Sequence, residues 1–257
     1  MKKHLIFLLA SALALAACSE KADEGTPGYG RLSVRCGADL SLASRAASVP
    51  AGEEFAFVLD GEGYHGEWAT VARFAGQDTI FKEGPYTATV TWGDPQAEGI
   101  DKPYYEGKAA VQIVARRTTQ VTIEARIANS EVTVTVTEQF LRYFHDPQIS
   151  VTTGAGSVFG FNPAASVPDE PVYVRAGTSL KVEGTARKQS PDGKDDGPEV
   201  KFSEQTVAAT APRTRYNFQF DAPDAGSAIL IIKLDDQPVE TIVLDLEMND
   251  AAIEETK

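Results

Sequence analysis

The residues whose chemistry suits nucleophilic attack, metal binding or proton transfer are few. Two cysteines and three histidines occur in 257 residues. His4 and Cys18 flank an apolar N-terminal run, which leaves Cys36, His65 and His145 as soft ligands, too few for a Cys/His zinc site. Cys36 belongs to the run Leu32, Val34, Cys36, Ala38, Leu40, Leu42, interleaved with Arg31, Ser33, Arg35, Asp39 and Ser41. That alternation predicts a strand with the thiol on its buried face, where a free cysteine behaves as a small hydrophobe. His145-Asp146 has the residue types of a base and its orienting acid, but no nucleophile-elbow sequence accompanies it and neighbours on a strand point apart. His65, in Asp60-Gly61-Glu62-Gly63-Tyr64-His65-Gly66-Glu67-Trp68, reads as a loop histidine. The carboxylate-rich stretch Asp192-Gly193-Lys194-Asp195-Asp196-Gly197 places Lys194 and Ser203 where a calcium loop needs oxygen ligands and a closing Glu. It is expected to be a wet hairpin loop. No carboxylate pair has a glycosidase context. The expectation is a protein with no catalytic residue, no cofactor and no metal.

Aromatic side chains are the other candidates for contact chemistry. Tyr64, Trp68, Trp92, Tyr104 and Tyr105 fall at or near predicted strand ends and turns. Rings in such places stack on sugar faces or anchor protein contacts. Trp92 shares its parity with Tyr86, Ala88 and Val90 and is expected in the core; Tyr104 and Tyr105 cannot both face inward. Tyr64, Trp68, Tyr104 and Tyr105 are therefore the candidate ligand contacts, with packing at a core edge as the plainer alternative.

The elements that must position these residues follow from composition and periodicity. Lys and Arg number 24 against 37 Asp and Glu, a formal charge of −13, which argues against a nucleic-acid partner and against docking on anionic lipid through basic patches. Hydrophobic residues make up 42%, enough for a packed core. Apolar and polar residues alternate in Phe55–Leu59, Tyr86–Trp92, Val111–Arg116, Val121–Ile127 and Val132–Thr137, each bounded by turn formers. The same pattern returns in Gln148–Thr152, Val172–Val174, Ser179–Gly184, Val200–Phe202, Arg215–Phe220 and Val239–Glu247. Ala228–Leu234 is apolar on both parities and is expected to be a central strand covered on both faces. Helical periodicity is confined to a turn or two at Glu138–His145. The chain is expected to be all-β: two tandem antiparallel β-sandwiches over residues 29–128 and 129–250, with a polar tail at 251–257.

Met1-Lys2-Lys3-His4 opens the chain, and residues 5–17 are apolar apart from one serine. This run falls short of the roughly 20 residues that cross a bilayer, so residues 1–17 read as an export signal. Its end, Leu15-Ala16-Ala17-Cys18, resembles the lipobox of bacterial lipoproteins, in which the cysteine sulfur is acylated before the signal is removed. The resemblance implies lipid attachment at Cys18, anchoring in the outer membrane through two or more acyl chains, and a tether over residues 18–28. Glu20, Asp23 and Glu24 resemble the acidic residues that promote export to the cell exterior in surface lipoproteins of Gram-negative gut anaerobes.

Phe81-Lys82-Glu83-Gly84-Pro85-Tyr86-Thr87-Ala88-Thr89-Val90 resembles the Tyr-led hairpin of transthyretin-like sandwiches. With the lipobox, the Gly30-Arg31-Leu32-Ser33-Val34 strand and Pro103-Tyr104-Tyr105-Glu106-Gly107, it is similar to uncharacterised lipoproteins related to fimbrillins, the two-sandwich subunits of surface fibres. That resemblance implies fimbrillin-type assembly: a protease cut after Arg45 in Ser44-Arg45-Ala46-Ala47, loss of the first strand, and its replacement by a strand from another subunit. The function expected is adhesion or fibre assembly without catalysis, with other fimbrial subunits as partners. The alternative is a carbohydrate-binding accessory lipoprotein of a glycan-uptake system, with a glycan as partner.

Overall fold

The computed structural model describes residues 28–39, 49–165, 170–189 and 196–248. The alternating runs form strands throughout, and the chain is all-β with two short α-helices and a single 3-10 turn (Gly52–Glu54) among the described residues. The first half contains β1 (Tyr29–Ala38), β2 (Ala56–Gly61), β3 (Tyr64–Trp68), α1 (Val71–Ala75), β4 (Ile80–Lys82), β5 (Gly84–Trp92), β6 (Tyr105–Ile113) and β7 (Thr118–Ile127). The second contains β8 (Ser130–Val136), α2 (Glu138–Tyr143), β9 (Phe144–Thr153), β10 (Val158–Phe161), β11 (Val172–Val174), β12 (Leu180–Gln189), β13 (Asp196–Val207), β14 (Arg215–Asp224), β15 (Ser227–Leu234), β16 (Gln237–Leu244) and β17 (Leu246–Met248).

Strand order repeats between the halves. The first half pairs in the order β3-β2-β5-β6-β7-β1-β4. The second contains β10-β9-β12-β13 in one sheet and β14-β8-β11 in the other, the same path with seven added to each label. In the first half β6 and β7 join at Tyr105↔Ile127 and Glu106↔Arg126, and the sheet folds over so that β1 packs across from β6, and β7 from β5. In the second half those two edges part. β17 occupies the edge of β13, and β15 with β16 occupies that of β14.

Each half closes over an apolar core drawn from the inward parity of its strands. The first gathers Leu32, Phe55, Phe57, Leu59, Ala88, Val90, Ile113 and Ile123; the second gathers Val132, Phe140, Phe144, Val151, Phe202, Phe218, Phe220 and Leu230. Each fully buried Val, Leu, Ile or Phe among them contributes about 1.5–3 kcal/mol through removal from water. The helices plug sandwich ends. Thr70 caps α1 by accepting from the Arg73 N–H, which presents Phe74 to the first core; Thr137 caps α2 through the Phe140 N–H and drives Phe140 into the second.

Three expectations need correction. Pairing is antiparallel except for β1 with β7 and β8 with β14, which run parallel. Sequence alternation is the same in both geometries, so it cannot separate them. β15 is not covered on both faces: Ala228, Leu230 and Ile232 are buried, whereas Ile229 and Ile231 are half-exposed. On that outer face their cross-strand neighbours are Gln219, Asp221, Thr241 and Val243. Finally, Val239–Glu247 is two strands. The chain changes sheet at Asp245, whose N–H donates to Ser203 Oγ (3.1 Å) and whose carbonyl accepts the Ser203 N–H (3.0 Å).

Candidate functional site

Two places combine unusual geometry with accessible chemistry: the edge that holds β1, and a cleft between the halves.

β1 runs parallel to β7 over Arg31–Ala38 against Thr118–Ala125. On its other side β4 pairs with Tyr29, Gly30 and Arg31. Beyond that point the Leu32 N–H donates to the Thr79 carbonyl at 2.9 Å. Gly52 approaches the Cys36 carbonyl so closely that a β-carbon there would lie 2.0 Å from the oxygen, which restricts the position to glycine. Inward, Leu32 is 1% exposed, while Val34, Cys36 and Ala38 pack half-buried on the first core. Burial pushes the Cys36 thiol up to about 11. It is therefore protonated at neutral pH and a poor nucleophile.

The cleft forms where the loop between β5 and β6 lies against the second half. Tyr173 exchanges both backbone hydrogen bonds with Gly99 (2.9 and 3.0 Å) and packs within the first core at 1% exposure. Beside it, the Glu98 carboxylate is 3% exposed and accepts from Arg175 Nε (3.3 Å), the Arg175 N–H (3.3 Å) and Thr153 Oγ1 (2.7 Å). Burial raises the Glu98 pKa, but donors on Ser157, Thr153 and Arg175 outweigh it and hold the carboxyl below its usual value. Arg175 Nη1 donates to Gln96 Oε1 at 2.9 Å. Asn129, buried at the junction, accepts from the Tyr104 N–H (3.2 Å) and donates to the Lys102 carbonyl (2.9 Å). The resulting cleft has a volume of about 700 Å³, with Tyr104, Gln96, Glu106, Arg175 and Thr178 among its walls.

The sequence-predicted residues separate. Cys18 and Arg45 lie outside the described residues, as do the tether apart from Gly28, the 251–257 tail and most of the 192–197 loop. Tyr105 is not a ligand contact. As the first residue of β6 it points inward at 0% exposure, edge-on to Phe55 and Trp92 with centroids 6.2 and 6.1 Å away. Tyr64 and Trp68 are half-buried in an aromatic cluster with Phe57, Phe74, Phe81 and Tyr86, and Trp68 Nε1 donates to Gln77 Oε1 at 2.9 Å. These two, on the edge strand β3, pack against the first core. Tyr104, one residue before β6, is half-buried and lines the cleft.

The histidines also differ from expectation. His65 lies on β3 rather than in a loop, bridged to Asp60 Oδ1 (2.5 Å) and Glu67 Oε1 (2.8 Å). His145 and Asp146 meet at 3.0 Å because Asp146 adopts a left-handed φ of 48°, which breaks the alternation of the strand. Glu98, Arg175 and Tyr173 had no sequence signal as a site, since the Glu98–Arg175 and Gly99–Tyr173 contacts each span more than 70 positions.

A sequence model for a domain of unknown function, DUF4493, matches residues 28–250. A search of curated proteins finds no match. Among solved structures, the chain is 9% identical to a fimbrial assembly protein from Parabacteroides distasonis, over 85% of this chain and 99% of that one, with a TM-score of 0.46. It is 8% identical to a candidate cell adhesion protein from Bacteroides eggerthii, over 87% and 95%, with a TM-score of 0.40. It is 10% identical to a candidate polysaccharide-binding protein from Bacteroides thetaiotaomicron, over 82% and 98%, with a TM-score of 0.37. Likeness at this level transfers no activity. The match across 28–250 places the chain in the DUF4493 family.

Proposed function

We propose that this protein is a non-enzymatic cell-surface lipoprotein of adhesion or fibre assembly, anchored in the outer membrane through acylated Cys18 and facing the exterior. Its subunits join by exchange of β1. The observation that supports this reading is the seating of β1. Among the described residues it is the first strand of its sandwich, it has one full-length neighbour, and it contributes a single fully buried apolar side chain, Leu32. Removing it uncovers the β7 edge from Thr118 to Ala125 together with an apolar slot, while the bulk of the core stays on β2, β5, β6 and β7. An incoming strand then satisfies the main-chain groups of β7 and refills the slot, the physics of β-strand addition. A cut after Arg45, in the segment between β1 and β2, releases the strand together with acylated Cys18, so the anchor belongs to the uncut precursor.

The test is limited digestion of the full chain with a trypsin-like protease, followed by mass spectrometry and electron microscopy. Cleavage after Arg45 with growth of oligomers or fibres is expected. A chain that resists cutting there, or a cut chain that stays monomeric with β1 still bound, contradicts the reading.

A further inference from the structure

We infer that the cleft between the two halves binds a short neutral oligosaccharide, with Tyr104 as its aromatic platform. This goes beyond strand exchange and does not depend on it. The cleft volume of about 700 Å³ lies within the range of built ligand pockets and exceeds what one sugar ring fills. Its walls pair one half-buried aromatic ring with polar groups that the protein leaves spare. Arg175 uses Nε and Nη1 on Glu98 and Gln96, and Nη2 donates to no acceptor among the described residues. The Gln96 side-chain amide accepts from Arg175, but its nitrogen likewise has no acceptor among the described residues, and neither does the Tyr104 hydroxyl. Glu106 offers a second carboxylate oxygen beyond the one that meets Lys108 at 2.6 Å. Small residues Gly154, Ala155, Ala176, Gly177 and Ala208 leave the space between these groups open.

Charge selects among ligands. Arg175 is neutralised by Glu98 and Glu106 by Lys108, so the cleft has no unpaired positive charge to hold phosphate, sulfate or a uronate. The chain as a whole, at −13, repels anions. A purely apolar ligand would strand the spare donors. A pyranose chain meets both demands, with hydroxyls for Gln96, Arg175 and Glu106 and a C–H face for the Tyr104 ring.

Saturation-transfer NMR and calorimetry on the full chain in detergent, with cellotriose, xylotriose, maltotriose and mannotriose at millimolar concentration, test this. At least one trisaccharide is expected to bind. Tyr104→Ala should weaken it by about tenfold, and Ala208→Trp, a substitution at an exposed cleft wall, should abolish it while leaving the melting temperature unchanged. Tyr29→Ala, on an exposed aromatic outside the cleft, should have no effect. If Tyr104→Ala fails to fold, Ala208→Trp decides alone. Absence of binding by all four sugars, binding that survives Ala208→Trp, or binding of sulfated or uronate trisaccharides only would overturn the assignment. None of these outcomes alters the strand-exchange reading, which is read from oligomer growth.

Discussion

Glu98 and Arg175, 77 positions apart, are joined through both the main chain and the guanidinium of the arginine, with the carboxylate 3% exposed. This pair sits beside the Gly99–Tyr173 bridge and ties the β5–β6 loop of the first half to the second. Glu98→Ala should destabilise the chain by about 2 kcal/mol. That is less than the 3–5 kcal/mol of a fully buried pair, because Arg175 is a third exposed and water takes over part of its solvation. The Glu98 pKa is lowered in the fold, so its contribution is present above the unfolded carboxylate value and is lost as pH falls through the folded one. Thermal melts of Glu98→Ala at neutral pH, and of the parent chain at progressively lower pH, check both points.

In the second half, Glu131 is 5% exposed and meets Arg215 Nε at 2.7 Å, while its other oxygen has no partner among the described residues. Burial raises the Glu131 pKa despite the opposing guanidinium. Arg215→Met leaves that carboxyl uncompensated and should cost about 3–5 kcal/mol. Adding Glu131→Gln should restore part of the loss, a coupling that denaturant titration of the single and double variants measures.

Cys36 reports on β1. With its thiol pushed up to about 11, alkylation by iodoacetamide at pH 8 should be roughly a hundredfold slower than for a free cysteine. Displacing β1 exposes the side chain and should bring the rate to the free-thiol value. Mass spectrometry of alkylated protein before and after protease treatment distinguishes the two states.

His65 has a carboxylate at each ring nitrogen, an arrangement both of whose hydrogen bonds need the imidazolium form. Hydrogen bonds to Asp60 and then Glu67 raise its pKa. The hairpin support it provides is present below the ordinary histidine value and is lost as pH rises through the folded one. An NMR titration should place the His65 midpoint above 6.5, and Asp60→Asn should lower it.

The edge strand β4 escaped the sequence, because its three residues are too few for a period to register; Val172–Val174, equally short, is read as a strand and forms β11. Each flanks the first strand of its half. β3 passes for a loop because its glycine and charged residues hide the alternation of Tyr64, Gly66 and Trp68. Tyr104 and Tyr105 show where local reasoning stops: parity says that one must face inward, and only the start of β6 decides which.

Alternating side chains by themselves determined that this chain forms half-buried strands, because a pleated backbone sends neighbours to opposite faces whatever the partner strand. Leu32, Val34 and Cys36 on one side of β1, or Val132 and Val134 on β8, needed no tertiary information to be assigned inward. The parallel docking of β1 on β7 and of β8 on β14, the repeat of strand order, the burial of Tyr173 in the core of the other half and the Glu98–Arg175 pair were decided by the tertiary structure alone. Each depends on contacts between residues far apart in the chain, and a local pattern encodes which face a residue takes but not which distant group it meets.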